Sequence, residues 1–180
     1  MIQRIGKIII LIIVAISLAL IQFSFFPSLP GLAQYFYPGL IVLIFILFFS
    51  GLKLSLYFIL IFGLVLDILS FQFFGIYTIS MAVAVIIAAF ILQNFLTNKS
   101  LYSLGATILI FTFSYNILLA SLDFIFSGFV GTLAISQLSF WKTLLYQAMW
   151  GLLAAVSLFH LLVLWFNRFK PFFLENKETM

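Results

Sequence analysis

Residues 62–92 read FGLVLDILSFQFFGIYTISMAVAVIIAAFIL and set the pattern that the rest of the chain follows. Two apolar runs flank a short break, in which Asp67 and Ser70 precede a turn closed by Gly75. Strands of membrane barrels alternate apolar and polar residues over about ten positions, whereas these runs are continuously apolar. Apolar runs of about 20 residues are typical of transmembrane helices. The stretch therefore predicts two membrane helices joined by a tight turn.

The composition of the whole chain agrees with a membrane protein. Of its 180 residues, 66% are hydrophobic and 7% are charged, whereas soluble domains contain about 25% charged residues. A soluble protein of this size could not bury so much apolar surface, and a disordered chain needs low hydrophobicity and high charge. Both classes are excluded. The absence of cysteine also excludes disulfides and thiolate metal sites.

We predict an all-α integral membrane protein with one transmembrane domain of six helices. Six spans of about 20 residues would occupy about 120 positions, which leaves no room for a domain outside the bilayer. The predicted spans are residues 8–26, 36–50, 54–70, 76–96, 101–127 and 143–167, followed by a short cytoplasmic tail at 168–180. The first apolar run, of about 19 residues, exceeds the core of a signal peptide, so we expect it to be retained.

The basic residues predict the orientation of the chain. If the N-terminus is cytoplasmic, Lys142 is the only one of the eight lysines and arginines that falls outside. This distribution is the positive-inside pattern, and an even number of spans then leaves both termini in the cytoplasm. The residues that fall inside are Arg4, Lys7, Lys53, Lys99, Arg168, Lys170 and Lys177. Because they occur singly at helix ends, we expect no nucleic-acid partner.

Polar residues cluster at the predicted outer side, and two interpretations stay open for them. Asp67 and Asp123 lie near the outer ends of the third and fifth spans, and Lys142 begins the sixth. They could form a polar cluster that binds a ligand or partner. Alternatively, Asp67 and Ser70 cap the N–H groups of the next turn and helix, and Lys142 pairs with a carboxylate. The outer segment 128–141 is predicted as either a short interfacial helix or a polar loop.

Small residues at four-residue spacing mark close helix contacts in two predicted spans. Such stripes let backbones approach each other closely in a membrane. We expect one stripe to pack inside the bundle and the other against a partner's membrane helix, and the sequence does not assign which. The first stripe is Ser80, Ala84 and Ala88, and the second is Gly151 and Ala155.

Catalysis is not expected from these residues. An aspartyl protease needs two carboxylates close enough to share a proton, and the Asn-x-Ala-Asp and Gly-x-Gly-Asp motifs of membrane proteases are missing; Asn116 precedes Asp123 by seven residues. No zinc motif is present either, and no Ser–His pair has the spacing found in rhomboid proteases. We therefore expect no enzyme activity, cofactor or metal, and we expect Asn116 to hydrogen-bond between helices.

Three short motifs resemble the rod-shape-determining protein MreD family. The stretch FGLVLDILS at 62–70 is similar to a G-x-x-x-D-(I/L)-(I/L)-S stretch that ends one span in that family, and FGI at 74–76 is similar to the (L/F)-G that opens the next. PGLIVL at 38–43 is similar to the proline-led start of the family's second span. Length, six spans and cytoplasmic termini fit nearly the whole chain. The sequence departs from the family at Phe74, where many members have proline-leucine before the glycine.

The resemblance implies a non-enzymatic subunit of the bacterial cell-elongation machinery in the cytoplasmic (inner) membrane. The implied partners are an MreC-like coiled-coil membrane protein and, through it, MreB filaments and the peptidoglycan synthase RodA with its transpeptidase. MreD-like proteins also resemble the substrate-binding subunits of energy-coupling-factor vitamin transporters in helix count and fold. The alternative is therefore such a subunit, with a vitamin in an outward-facing pocket. That pocket would need several convergent polar groups, and the predicted outer face offers few.

Overall fold

The computed structural model describes residues 2–71, 73–95, 101–127 and 134–174. Within these ranges the chain forms six α-helices and three short 3-10 helices, and it contains no β-strand. The prediction of an all-helical chain is confirmed. The α-helices are α1 (Ile2–Ser24), α2 (Pro38–Ser50), α3 (Leu52–Ser70), α4 (Ile76–Asn94), α5 (Leu101–Phe126) and α6 (Leu138–Leu174).

Four segments of the described chain are long and apolar enough to cross a membrane. They are Ile9–Ser28 and the helices α3, α4 and α5. The three helices have 19, 19 and 26 residues, which correspond to lengths of about 28–39 Å at a rise of about 1.5 Å per residue. These lengths suit a hydrocarbon core of about 30 Å. Helix α6 runs past both ends of the predicted span 143–167, so residues 168–174 of the predicted tail are helical.

Helix α2 is shorter than its neighbours and lies at the centre of the bundle. Its 13 residues extend over about 20 Å, which is less than the hydrocarbon core of about 30 Å. Seven of these residues are buried, and α2 contacts each of the other five α-helices. The predicted span at 36–50 is therefore a central helix that does not cross a bilayer by its own length.

Helices α1, α2 and α3 meet at Gly39. Pro38 begins α2, at a position where its missing N–H is not needed by the helix. The N–H of Gly39 donates to Oε1 of Gln22 on α1, at 3.1 Å. A Cβ atom at Gly39 would overlap the ring of Phe62 on α3. The close approach of three helices therefore requires a glycine at this position.

Connecting segments of the described chain pack against α6. Residues 25–37 connect α1 to α2 and pack on α6, where Nε1 of Trp150 donates to the carbonyl of Leu32 at 3.0 Å. In the outer segment 128–141, residues 128–133 lie outside the described chain, Ala134–Ser136 form a 3-10 helix and α6 begins at Leu138. The described part thus contains only one 3-10 turn and the start of α6, instead of a separate interfacial helix.

Both stripes of small residues lie inside the bundle. The stripes consist of Ser80, Ala84, Ala88, Gly151 and Ala155, and all five are buried. A Cβ atom at Gly151 would lie 2.8 Å from Cγ2 of Ile108 on α5, so the second stripe belongs to the contact between α5 and α6. The expectation that one stripe would face a partner's helix is therefore wrong.

The crossing of α3 and α4 is especially close at Gly63. A Cβ atom there would lie 2.9 Å from Cα of Thr78 and 2.8 Å from its Oγ1. Gly105 on α5 provides a contrast, because a Cβ atom there would lie 3.4 Å from Cδ2 of Leu152, the flexible end of a side chain. An alanine is therefore accommodated at Gly105 but not at Gly63.

We expect Gly63→Ala to lower the free energy of unfolding by about 1–3 kcal/mol, because the two helix backbones must move apart. Gly105→Ala is the matched control and is expected to be neutral or to stabilise by up to about 1 kcal/mol, since alanine favours the helix over glycine. Thermal unfolding of the detergent-purified proteins measures both effects. Equal melting temperatures of the two variants would contradict the close crossing at Gly63.

Candidate functional site

The carboxylate of Asp67 caps the N-terminus of α4. Its Oδ1 accepts the N–H of Tyr77 at 2.8 Å, and its Oδ2 accepts the N–H of Thr78 at 3.3 Å as well as the Thr78 hydroxyl. Asp67 is only 2% exposed. The first N–H groups of a helix have no partner within that helix, and negative charge is favourable there. Asp67 thus supplies from α3 the acceptors that the start of α4 lacks.

The turn between α3 and α4 depends on two residues in the left-handed conformation. Phe71 ends α3 with a φ of 53°, and Gly75 precedes α4 with a φ of 98°. A glycine adopts such a φ without the steric cost that a Cβ atom brings. The Ser70 hydroxyl donates to the carbonyl of Asp67 at 3.2 Å. The capping expectation is therefore met by Asp67, whereas for Ser70 it stays a prediction.

The structure does not assemble Asp67, Asp123 and Lys142 into one cluster. The oxygens of Asp67 are occupied by the start of α4. Asp123 is exposed near the end of α5, and Lys142 is exposed on α6. Within the described ranges no ion pair forms at any of the three. The expectation that Lys142 pairs with a carboxylate is therefore wrong in this part of the chain.

A cavity of about 450 Å³ opens at the end of the bundle where α1, α3 and α5 end and α2, α4 and α6 begin. Ligand pockets usually have volumes of about 300–1,000 Å³, so this cavity is large enough for a small molecule. We call it the outer cavity, after the side on which the sequence places this end. Its lining combines apolar side chains with polar ones, and the polar ones include Gln22, Tyr37, Tyr77, Tyr115, Asn116 and Gln147.

Hydrogen bonds to neighbouring helices hold the carboxamides of the outer cavity in place. Nδ2 of Asn116 donates to Oε1 of Gln147 on α6 at 2.8 Å and to the carbonyl of Thr112 at 2.8 Å. The prediction that Asn116 joins two helices is confirmed. Gln22 accepts the N–H of Gly39, as described above. Because these amides are fixed before any ligand arrives, the polar lining is preorganised.

The outer cavity carries one carboxylate. Asp123 lines the outer cavity and lies close enough to Tyr77 for an electrostatic interaction. Tyr37 and Tyr115 also lie within reach of such an interaction with Tyr77. Among the described residues that line the outer cavity there is no lysine, arginine or histidine. The site is therefore rich in hydroxyl and amide groups and has negative charge on its exposed side.

Sequence analysis left a ligand-binding cluster at this end open, but it did not identify the tyrosines that line the cavity. The polar lining comes from the four helices α1, α4, α5 and α6 and from connecting segments, with no more than three such residues in each helix. No spacing rule joins them, so the expectation that the outer face offers few polar groups is wrong. The one available signal was the similar predicted depth of Gln22, Gln147 and Asp123 at the outer ends of their spans.

Comparison of the chain with known protein families, curated proteins and solved structures finds no match. Function therefore has to be inferred from the sequence motifs and from the geometry of the α3–α4 turn and the outer cavity.

We expect Asp67→Ala to destabilise the protein much more than Asp123→Ala. Loss of the Asp67 carboxylate leaves buried N–H donors of α4 without an acceptor, at about 1–3 kcal/mol for each donor. Asp123 is exposed and caps nothing among the described residues, so its replacement is expected to leave the melting temperature almost unchanged. The measurement is thermal unfolding in detergent together with the yield of folded protein. Similar losses in both variants would refute the structural role of Asp67.

Proposed function

We propose that this chain is a non-enzymatic subunit of the bacterial cell-elongation complex, located in the cytoplasmic membrane. The observation that carries the proposal is that the residues of the MreD-like motif form one structural unit. Gly63 lets Thr78 approach α3, Asp67 binds Thr78 and the start of α4, and Gly75 provides the left-handed turn between them. The residues of the motif therefore act together to position α4 against α3. This supports the interpretation that the likeness to the family is more than a chance sequence match.

The same proposal includes six membrane segments with both termini in the cytoplasm. Consecutive helices run in opposite directions, as the contacts of Gln22 with Gly39 and of Asn116 with Gln147 require. Lys53 begins α3 at the end of the bundle opposite the outer cavity, and Lys142 lies near the start of α6 at the cavity end. This distribution supports an orientation in which the outer cavity faces away from the cytoplasm. We further propose a fold like that of the energy-coupling-factor substrate-binding subunits.

The proposed partner is an MreC-like protein with one membrane helix, which links the chain to MreB filaments and RodA with its transpeptidase. Because both small-residue stripes are used within the bundle, the partner's helix must pack on other helix faces or on the connecting segments. Apolar surface alone does not drive helices together in lipid, so this contact depends on shape and on polar groups.

A second candidate function is favoured by the outer cavity. Its volume and its converging polar side chains are the features that a small-molecule site requires. They support a substrate-binding subunit of an energy-coupling-factor vitamin transporter as the alternative. The two candidates differ in the protein that accompanies the chain, which is a coiled-coil protein in the first case and an ABC-type ATPase in the second.

Reporter fusions test the proposed topology. We expect fusions after Lys53 and at the C-terminus to report the cytoplasm, and fusions at Ser28 and Ser136 to report the outside, because of the positive-inside distribution. The measurement is the activity of paired alkaline phosphatase and fluorescent protein fusions. A C-terminal fusion that reports the outside would overturn the six-segment proposal.

Affinity purification from the native host tests the partner. We expect the tagged chain to retain an MreC-like protein, and the Asp123→Asn variant to retain it equally. Mass spectrometry of the eluate identifies the partner. Recovery of an ABC-type ATPase without a coiled-coil protein would replace the cell-elongation proposal with the transporter alternative.

A further inference from the structure

The charge of the outer cavity selects against anions. Asp123 is the only carboxylate among its described lining residues, and no basic side chain accompanies it. Three helices begin and three end around the cavity, so the partial positive and negative charges of their termini oppose one another. The net field at the site is therefore negative, because Asp123 lines the cavity and the carboxylate of Asp67 acts on Tyr77 and Tyr115 from behind it. A phosphate or carboxylate would be repelled there, and a cation would be attracted.

The aromatic lining also suits a cation. Tyr37, Tyr77 and Tyr115 line the cavity together with Phe23 and Phe140. The face of an aromatic ring attracts an ammonium group within about 6 Å of the ring centre, and sites for quaternary ammonium ligands are built from several such rings. The cavity thus combines the two features that recognise organic cations, which are aromatic rings and one carboxylate.

The phenol groups of the cavity add hydrogen-bonding capacity for a ligand. The carboxamide of Gln147 is already bonded to Asn116 and to Tyr37. For the phenol groups of Tyr77 and Tyr115, no hydrogen-bond partner is found among the described residues. These groups can therefore bind a polar ligand without breaking a bond that holds the bundle together.

We propose that the outer cavity is a binding site for a small organic cation, namely an amine or a quaternary ammonium compound. The ammonium group lies at Asp123 and the tyrosine rings, and the rest of the ligand fills the volume of about 450 Å³. The same chemistry is available from a free amine and from the ethanolamine head group of a phospholipid. The site involves residues of this chain only, so it does not depend on the proposed cell-elongation partner. If the transporter alternative holds, the proposal names its substrate class.

Three probes that share one ring test the charge preference. Phenethylamine, 2-phenylethanol and phenylacetate are titrated into the detergent-purified full chain at low ionic strength by isothermal calorimetry. We expect phenethylamine to bind, 2-phenylethanol to bind more weakly and phenylacetate not to bind, and choline to compete with phenethylamine. Equal binding of the amine and the acid, or no binding of the amine, would overturn the proposal.

Two variants test the residues. Asp123→Asn keeps the shape of the side chain and is expected to weaken phenethylamine binding about tenfold or more, as the loss of a charged hydrogen-bond partner does. Lys142→Gln is the matched control, because Lys142 is an exposed charge near the start of α6 that does not line the cavity, and its removal should not weaken binding. Ala120→Trp fills the cavity and should abolish binding. Unchanged affinity in Asp123→Asn would refute the site.

Lipid composition separates the two sources of the cation. The affinity for phenethylamine is measured in nanodiscs of phosphatidylethanolamine and in nanodiscs of phosphatidylglycerol. A lower affinity in phosphatidylethanolamine means that this lipid competes with phenethylamine, which assigns the site to a lipid head group. Equal affinity in the two kinds of nanodisc assigns the site to a free amine. Either result supports a cation site. The partner test is independent of this one, because the Asp123→Asn variant is expected to bind phenethylamine more weakly and still to co-purify with the MreC-like protein.

Discussion

The first N–H groups of α4 have no partner within their own helix, so another part of the fold has to supply acceptors for them. Asp67 meets this requirement from the preceding helix, and the same contact fixes the distance and the direction of α4 relative to α3. Gly63 then allows the two backbones to close on Thr78. Helix α4 in turn packs on α5, and α5 on α6, so the placement of half of the bundle follows from one carboxylate.

The outer cavity follows from a second constraint, which is the length of α2. A central helix of 13 residues covers about 20 Å, so it does not fill the middle of the bundle over the whole depth of a bilayer. Around its N-terminal end, the neighbouring helices present side chains to a space that no helix occupies. Gln22, Tyr37 and Gln147 are tolerated there because an open cavity can hydrate polar groups that the hydrocarbon cannot.

The sequence was sufficient to predict the helices and the α3–α4 turn, since long apolar runs and a lone Asp before a glycine are local signals. It was not sufficient to predict which face of each helix meets the protein. In a soluble helix the polar face identifies the solvent side, whereas in α4 and α5 apolar residues occur on both the buried and the exposed faces. For that reason the three-dimensional structure was needed to place Ala84 and Gly151 inside the bundle and Tyr77 and Gln147 at the same cavity.

The two aspartates at the cavity end show how environment separates roles for identical side chains. Asp67 is buried and accepts three hydrogen bonds from α4, so its lone pairs are occupied by the fold and little capacity is left for a ligand. Asp123 is exposed and lines the outer cavity, where its charge is not offset by a described basic residue. The motif that resembles a known family therefore specifies the turn. Proteins that share this turn could differ in function, since their chemistry would depend on the lining of the cavity and not on the motif.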